Sequence, residues 1–402
     1  MSTKYSIPYG RQNITDADIA AVTEALQADY LTTGPRVLEF EVKFAEYVGA
    51  KYAVAVANGT AALHLCALAL GVEKGLRVIT TPITFAASAN CVRYCGGEVW
   101  FADIDPVTLT LDLEKTRALI EAHEPGFFQG IIPVDFAGYP VDLEAFRELA
   151  DEHGMWIIED ACHAPGGWFT DSKDEKQHCG NGNYADLAIF SFHPVKHIAS
   201  GEGGMITTNN ADLYNDLMQL RTHGITRDPD QLKRESDGGW YMEMQQLGYN
   251  YRIPDILCAL GISQLSRADE GMERRQEIAK KYDNAFKKLG ADAGAGQLSE
   301  GAKLLYHGLP SSDRQHAFHL YVIQVEDRKG LYDYFREQGI YAQVHYIPVH
   351  TMPYYAELNH YSDIDLSLAE NYYAGGLSLP MYPTLTEEEQ DFVIDRVKTF
   401  LA

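Results

Sequence analysis

Between about residues 50 and 210, short apolar segments of strand length alternate with segments of helical periodicity. The apolar segments are continuous, which is typical of strands buried on both faces of a parallel sheet, and the intervening helices would cover those faces. The pattern predicts an α/β fold with a mostly parallel central sheet, whose ligands bind beyond the carboxyl ends of the strands. The predicted strands are Tyr52–Ala57, Arg77–Thr81, Glu98–Ile104, Gly130–Phe136, Trp156–Ala161, Leu187–Phe192 and Met205–Thr208, and the predicted helices are Thr60–Leu70, Leu113–His123 and Leu143–His153.

The segments on either side of this block have different patterns. Before it, Thr15 is placed to cap a helix that carries Ile19, Val22 and Leu26 on one apolar face. After it, the pattern predicts a helical run from Pro254 to about Lys288, strands His316–Val325 and Tyr341–Tyr346, and helices Leu331–Gln338 and Glu387–Leu401. A chain of 402 residues is long enough for two domains, and we predict a large domain at residues 1–253 and a small α+β domain at 254–402.

The formal net charge of −24 argues against a nucleic-acid partner, because the phosphate backbone would be repelled. No apolar run reaches the roughly 18 residues that a membrane-spanning helix needs. The segment Met1–Ile7 lacks the apolar core of a signal peptide. We therefore expect a cytoplasmic protein without a membrane partner.

The six cysteines are too dispersed to indicate a disulfide framework. Two short segments, Cys162–His163 and His178–Cys179, resemble the halves of a zinc site. The first segment has another use below, and the second lies in a polar stretch. We therefore predict no metal.

One lysine stands where a predicted strand gives way to a glycine-rich loop. Lys196 follows the strand Leu187–Phe192 and precedes the loop that ends in Gly201-Glu-Gly-Gly204. Partial burial at the mouth of a parallel sheet lowers the pKa of a lysine ammonium group and makes a free amine available. Such an amine can form a Schiff base with pyridoxal phosphate (PLP). Most lysines are solvated surface charges, so this prediction depends on the other groups that a PLP site needs.

Three residues that lie at or just beyond the carboxyl ends of predicted strands are candidates to contact the cofactor ring. Asp160 can keep the pyridine nitrogen protonated, which makes the ring an electron sink; its alternative role is to cap a helix. His163, three residues later, can stack on one ring face, and Phe85 can cover the other. A buried core position is the alternative for both.

A phosphate site is predicted at the start of the helix Thr60–Leu70. The segment Asn58-Gly-Thr60 ends a strand and opens this helix, so the backbone amides of Gly59 and Thr60 would face a phosphate. Ser191 can add a hydroxyl. As a motif, Asn-Gly-Thr is weak alone, because any strand-to-helix turn can contain it.

Together, these segments resemble the DegT/DnrJ/EryC1 family of sugar aminotransferases, which are fold-type I PLP-dependent enzymes, over nearly the whole chain. The matching motifs are Leu31-Thr-Thr-Gly34, Asn58-Gly-Thr60, Thr81-Pro-Ile-Thr-Phe85, Glu159-Asp-Ala-Cys-His-Ala164, Ser191-Phe-His-Pro-Val-Lys196, Gly201-Glu-Gly-Gly204, Arg221-Thr-His-Gly224, Gly248-Tyr-Asn-Tyr-Arg252 and Gln343-Val-His-Tyr346.

The resemblance implies a PLP cofactor, with pyridoxamine phosphate (PMP) as its other form, and Lys196 and Asp160 as catalytic residues. It implies that Asn250 reaches the PLP phosphate of the other subunit, so the enzyme would be a homodimer with shared active sites. It also implies a nucleotide-sugar pocket lined by Tyr9, Asp29, Tyr30, Leu31, Thr32, Gln343, Val344, His345 and Tyr346. In a chain so negatively charged, the diphosphate would need local donors, and His345 and Arg252 are candidates.

Within the family, Ile7-Pro-Tyr-Gly-Arg11 and Phe192-His-Pro-Val-Lys196 most resemble the aminotransferases of pseudaminic acid biosynthesis. This implies amination of C4 of a UDP-linked 4-keto-6-deoxy-N-acetyl sugar, usually with L-glutamate as the donor. An aminotransferase for another nucleotide sugar remains open. A sugar 3-dehydratase, which carries histidine in place of the lysine, fits poorly because Lys196 is present. A non-catalytic PLP-fold protein is the remaining alternative.

Overall fold

The computed structural model describes residues 5–289, 292–293, 298, 302–307, 312–358 and 360–402. Residues 1–4, part of the N-terminal segment considered above, lie outside this range. The helices are α1 (Asp16–Gln27), α2 (Pro35–Val48), α3 (Gly59–Ala69), α4 (Ala87–Tyr94), α5 (Leu113–Glu121), α6 (Leu143–His153), α7 (Ala211–Leu220), α8 (Asp255–Leu265), α9 (Ala268–Lys287), α10 (Arg328–Glu337), α11 (Pro353–Ala356), α12 (Ser367–Gly375) and α13 (Glu387–Leu401). The strands are β1 (Ile7–Pro8), β2 (Tyr52–Val56), β3 (Arg77–Thr80), β4 (Glu98–Phe101), β5 (Gly130–Ile132), β6 (Trp156–Asp160), β7 (Trp168–Thr170), β8 (Lys176–His178), β9 (Leu187–Ser191), β10 (Gly204–Thr208), β11 (Ile225–Thr226), β12 (Glu243–Met244), β13 (Asp292–Ala293), β14 (Leu305–Tyr306), β15 (Arg314–Gln315), β16 (Tyr321–Gln324), β17 (Ile340–Tyr341) and β18 (Gly376–Leu379).

The central sheet has seven strands in the order β2-β10-β9-β6-β5-β3-β4. Strand β10 is antiparallel to both of its neighbours, and all the other pairs are parallel. These are the seven strands that the alternating pattern predicts. The prediction of an α/β fold with a mostly parallel sheet is therefore confirmed. Several strands end earlier than predicted, because the residues at their carboxyl ends turn into loops.

Each face of this sheet packs against its own layer of helices. Ile189 and Ile206 belong to a core that includes buried residues of α3 to α7. Their neighbours along the same strands, Phe190 and Met205, belong to a second core that includes residues of α2 and α8. The alternation of side chains along β9 and β10 explains this division. Burial on both faces also explains why these strands are continuously apolar in sequence.

The C-terminal third contains a second sheet, in the order β13-β14-β16-β18. Its core includes Tyr321 of β16, Leu377 of β18, Phe286 of α9 and Val393 of α13. The N-terminal strand β1 pairs in parallel with β17, so the start of the chain joins this region. The division into domains at residues 253 and 254 stays a prediction.

Two strand predictions for this region are wrong in extent. A strand was predicted at Tyr341–Tyr346, but the strand in the structure is Ile340–Tyr341. Beyond it, Gln343 makes an isolated bridge to Ser378. The strand predicted from His316 begins at Tyr321, because Phe318 adopts a left-handed conformation (φ 49°) that interrupts an extended chain.

Two helix predictions also need correction. The helical run predicted from Pro254 is two helices, α8 and α9, which are separated at Ser266 and Arg267. Thr15 caps α1 as predicted, in a reciprocal capping box with Asp18. The apolar face of α1 nevertheless points outward, since Ile19 and Leu26 are each 57% exposed. Among the described residues, no helix is both long enough and apolar enough to cross a membrane.

Candidate active site

Lys196 lies in the turn that follows β9, at the carboxyl edge of the central sheet. Its backbone N–H donates to the carbonyl of His193 at 2.8 Å. Its Nζ lies 3.4 Å from Nε2 of His319, which comes from the C-terminal third of the chain. Burial lowers the pKa of Lys196, and the positive charge of Arg275 lowers it further, whereas Cys162 and Asp160 act in the opposite direction. The structure therefore places this amine where burial favours its uncharged form, in the direction that the sequence predicts.

Asp160 ends β6, which pairs in the sheet with β9, the strand before Lys196. In sequence, β7 and β8 separate these two strands. Its Oδ2 accepts a hydrogen bond from the Ser88 hydroxyl at 2.7 Å, and its Oδ1 accepts one from the backbone N–H of Cys162 at 3.2 Å. The Ser88 hydroxyl also lies 2.8 Å from that of Thr84. These contacts hold the buried carboxylate in one orientation. No helix begins directly after Asp160 among the described residues, so the alternative role of a helix cap is wrong.

The start of α3 meets the ends of β9 and β10 at very close range. The Asn58 side chain caps α3 by accepting from the N–H of Ala61 at 2.8 Å. The first amides of the helix, at Gly59 and Thr60, have no carbonyl one turn earlier to bond. A Cβ at Gly59 would lie 3.0 Å from that of Ser191, so only glycine lets the helix approach this strand without displacement. Amides at a helix N-terminus next to a hydroxyl form a suitable cradle for phosphate.

His163 and Phe85 occupy very different environments. His163 is buried, and burial holds its pKa well below the usual range, so the imidazole is neutral. Its Nδ1 accepts from the N–H of Ala137 at 3.2 Å, which leaves Nε2 to donate to the Tyr346 hydroxyl at 3.2 Å. Phe85 is 63% exposed, so the alternative of a core aromatic is wrong for this residue.

A cavity of about 740 Å³ brings most of the predicted site residues together. The predicted residues that line it are Tyr9, Gly59, Thr60, Phe85, Asp160, His163, Ser191, Lys196, His345 and Tyr346. A second cavity of about 630 Å³ shares Tyr9, Phe85, His345 and Tyr346 with the first, and adds Gln343 and Val344. The two cavities therefore adjoin.

Six predicted residues lie elsewhere. Asn250 is exposed and pairs through its backbone with Thr222, and Arg252 is not among the residues that line either cavity. The segment of Asp29, Tyr30, Leu31 and Thr32 is exposed as well.

These two segments are neighbours on the surface. Thr32 bridges Pro254, and the carbonyl of Leu31 accepts from the N–H of Asp255 at 3.0 Å. The structure does not bring Arg252 to the wall of either cavity of its own chain, and its role as a donor for the diphosphate stays a prediction. At this point the chain lies on the surface of the subunit.

Several lining residues were not predicted from the sequence. Ser88, Cys162, His319 and Tyr251 line the first cavity, and Arg328 lines the second. Polar residues just before an apolar strand are a usable signal for His319. Ser88 lies on a helix face, where the sequence contains no such signal.

Three acidic or thiol groups meet outside the cavity that contains Lys196. Among the described residues, the group of possible metal ligands is Asp135, Glu159 and Cys179, whose ligand atoms lie within 4.8 Å of one another. Cys162 and His163 are not part of it, so the structure does not join the two half-sites considered from the sequence. All three members of the group are buried.

Comparison with known proteins decides the family. The chain matches the DegT/DnrJ/EryC1/StrS aminotransferase family over residues 12–398. The chain belongs to this family. It is 37% identical to the spore coat polysaccharide biosynthesis protein SpsC of Bacillus subtilis, over 98% of this chain and 96% of that protein. It is also 37% identical to the UDP-4-amino-4,6-dideoxy-N-acetyl-beta-L-altrosamine transaminase of Campylobacter jejuni, over 98% and 97% of the two chains.

The family also accounts for the fold and the cofactor. The Helicobacter pylori aminotransferase PseC, involved in the biosynthesis of pseudoaminic acid, superposes with a TM-score of 0.85 at 28% identity, over 99% of each chain. Aminotransferases of this family use PLP, and solved neighbours include a PLP form and a PMP form. The present cavity fits this cofactor: it combines an amine, a buried carboxylate and unbonded helix amides beside Gly59, where a Cβ would crowd Ser191. The protein is a sugar aminotransferase.

Proposed function

We propose that this aminotransferase transfers an amino group from L-glutamate to C4 of a UDP-linked 4-keto-6-deoxy-N-acetyl sugar, as in pseudaminic acid biosynthesis. The second cavity is the observation that carries this proposal, because it adjoins the lysine cavity and has Arg328 on its wall. A small keto acid would not use this space. A nucleotide sugar needs such a volume, with positive charge for its diphosphate. The names of the Campylobacter and Helicobacter relatives support the pathway.

In this proposal, four residues hold the cofactor by its polar ends. The amides of Gly59 and Thr60, with the hydroxyl of Ser191, bind the phosphate. Asp160, kept in place by its hydrogen bonds, faces the pyridine nitrogen. PLP supplies an electron sink that stabilises negative charge at the reacting carbon, and the carboxylate sustains it by favouring a protonated nitrogen.

Lys196, His163 and Phe85 act at the middle of the site. His163 and Phe85 lie against the two faces of the ring. Because burial lowers the pKa of Lys196, the uncharged form of its Nζ, which binds the cofactor, is more accessible than in a solvated lysine. The same Nζ can take a proton from the α-carbon of glutamate and later deliver one to C4 of the sugar.

We place Tyr9, Gln343, Val344, His345 and Tyr346 against the sugar nucleotide. The supporting observation is that all five line the second cavity. His345 is held by a hydrogen bond of 2.9 Å between its Nδ1 and the hydroxyl of Ser378.

We also propose a homodimer in which Asn250 and the Asp29–Thr32 segment complete the site of the partner subunit. Both segments are exposed, and they lie side by side on the surface of their own chain. Large apolar side chains close to them in sequence are exposed too, including Leu26 (57%) and Leu247 (75%). An interface would bury this surface, and a two-fold axis would make the exchange reciprocal.

An amination assay with a panel of UDP- and dTDP-linked 4-keto sugars tests the substrate. We expect the UDP-linked 4-keto-6-deoxy-N-acetyl sugar to be aminated with L-glutamate, and NMR of the product to place the amine on C4. Turnover of dTDP-linked sugars alone would contradict the proposal.

An aminotransferase for another nucleotide 4-keto or 3-keto sugar is the second candidate. The equal identity to SpsC favours it, since that protein is named for the biosynthesis of a spore coat polysaccharide. The same panel separates the two, because a 3-amino product or a different preferred sugar would identify the second.

A further inference from the structure

A fully buried arginine lies close to the catalytic lysine without a carboxylate partner. Arg275 projects from α9 and is 2% exposed. Its Nη1 donates to the carbonyls of Phe318 (3.0 Å), His319 (3.3 Å) and Met381 (3.0 Å). In the part of the chain that the structure describes, no ion pair joins it to an acidic side chain. Neutral donors could bond these carbonyls without the cost of burying an unpaired charge, so the charge itself requires an explanation.

The carbonyl that Arg275 holds belongs to the residue that contacts Lys196. His319 follows Phe318, whose φ of 49° turns the chain so that the His319 side chain enters the cavity. The His319 Nε2 lies 3.4 Å from Nζ of Lys196, and its ring packs against that of His163 with centroids 4.3 Å apart. A continuous set of contacts thus runs from α9 to the reacting amine.

The charges around Lys196 act in opposing directions. Asp160 and Cys162, after β6, favour its ammonium form, whereas Arg275 opposes a second positive charge in the same buried region. The nearby rings of His163, His197, His319 and His345 are neutral, because burial holds the pKa of each below its usual range. Arg275 is therefore the fixed positive charge that acts on the amine.

We propose that Arg275 and His319 are positioning residues for the reaction: Arg275 fixes the backbone of His319 and places its guanidinium charge in the same buried region as the amine, and His319 holds that amine in place. This rests on the proposed function only in that Lys196 is the reacting amine. It couples the C-terminal third of the chain to the chemistry at the central sheet.

The test of Arg275 measures the Lys196 amine directly, without turnover. The protein freed of PLP is labelled with acetic anhydride at a series of pH values, and labelling of the Lys196 peptide is read by mass spectrometry. In Arg275→Met the labelling midpoint should move to higher pH by about 0.5–1 unit, since the opposing charge is gone. In Arg275→Lys it should stay near that of the unaltered protein. If Arg275→Met fails to fold, Arg275→Gln keeps a donor for the carbonyls and removes the charge.

A matched control is Arg274→Met, on the same helix, because Arg274 pairs with Glu277 at 2.7 Å at the surface. A neutral variant at 275 with the same midpoint as this control would overturn the role of Arg275. Because the labelling needs no substrate, it gives this answer even if the sugar assay refutes the proposed acceptor.

His319 is tested by two variants that differ in one property. His319→Gln places an amide near the position of Nε2, whereas His319→Phe keeps a ring and removes both nitrogens. We expect the glutamate half-reaction to slow about tenfold or more in His319→Phe, with an unchanged KM, and to recover largely in His319→Gln. Equal rates in the two variants would mean that the ring only fills space.

Discussion

The histidines around Lys196 contribute shape and hydrogen bonds but no charge. Burial lowers the pKa of His345 to about 3. The sequence suggested His345 as a donor for the diphosphate, and a neutral imidazole can donate only one hydrogen bond. Arg328 is better suited, because it is half-buried, lines the second cavity and stacks 4.9 Å above the ring of Tyr373.

Arg328→Ala should therefore weaken sugar-nucleotide binding selectively. We expect KM for the sugar to rise by about tenfold or more, as for loss of a charge-assisted contact, while the glutamate half-reaction stays unchanged. Lys329→Ala is the matched control, since that exposed lysine already pairs with Asp333 and should have a smaller effect. Steady-state kinetics and titration with UDP measure both. An equal loss in the glutamate half-reaction would place Arg328 in the support of the cofactor instead.

Asp160 and Phe85 should differ sharply in their contributions to turnover. Asp160→Asn removes the charge that sustains the electron sink, so turnover should fall by orders of magnitude. Phe85→Ala removes only contact with the ring, worth about 1 kcal/mol, and Phe85 is exposed in any case. Stopped-flow absorbance of the half-reaction compares the two. If Phe85→Ala proves the more damaging change, the roles are wrongly assigned.

At the scale of elements, the sequence predicted what depends on continuous burial. All seven strands of the central sheet were found, because each is apolar along its length. The residues at their ends, Asp160 and Lys196, could be placed at one edge by topology alone. The conformation of the segment from Tyr341 to Tyr346 could not be predicted, because this segment lines a cavity together with residues from distant parts of the chain. His319 and Arg275 were missed for the same reason.

The outward loop that carries Asn250 leads to an experiment on mixed subunits. Hydrogen bonds from the N–H of Tyr251 to Arg221 (3.1 Å) and from that of His223 to Tyr249 (2.9 Å) hold this loop in place. Lys196→Ala and Asn250→Ala subunits should each be nearly inactive. When they exchange, the heterodimer should contain one intact site and regain part of the activity. Native mass spectrometry verifies the exchange, and exchange without recovered activity would mean that Asn250 does not act in trans.

At the scale of the whole molecule, the net charge of −24 makes buried carboxyl groups important for stability. Asp135 and Glu159 are both buried, and their side chains lie within 4.8 Å of each other. Burial raises the pKa of Asp135 to about 7, and burial together with Asp135 raises that of Glu159 well above its usual range. The pair is therefore best accommodated with at least one proton.

This pair should make the protein less stable as the pH rises. Both folded pKa values exceed the unfolded ones, so the stabilising contribution is complete below about pH 4 and is lost as pH rises through about 7 and above. Glu159→Gln can still accept from the N–H of Gly180 and can donate to Asp135, so it removes the shared proton but not the hydrogen bonds. Its unfolding free energy, relative to that of the unaltered protein, should rise with pH by up to about 1.4 kcal/mol per pH unit within this window.

Urea unfolding at a series of pH values measures this difference. Glu152→Gln is the control, because Glu152 is an exposed carboxylate paired with Arg117 at 3.0 Å and should give no such slope. Each variant removes one ionisable carboxyl group, so an effect on the unfolded chain would appear in both. If only Glu159→Gln shows the pH-dependent difference in unfolding free energy, the titrating groups are Asp135 and Glu159. Parallel curves for the two variants would show that this buried pair holds no shared proton.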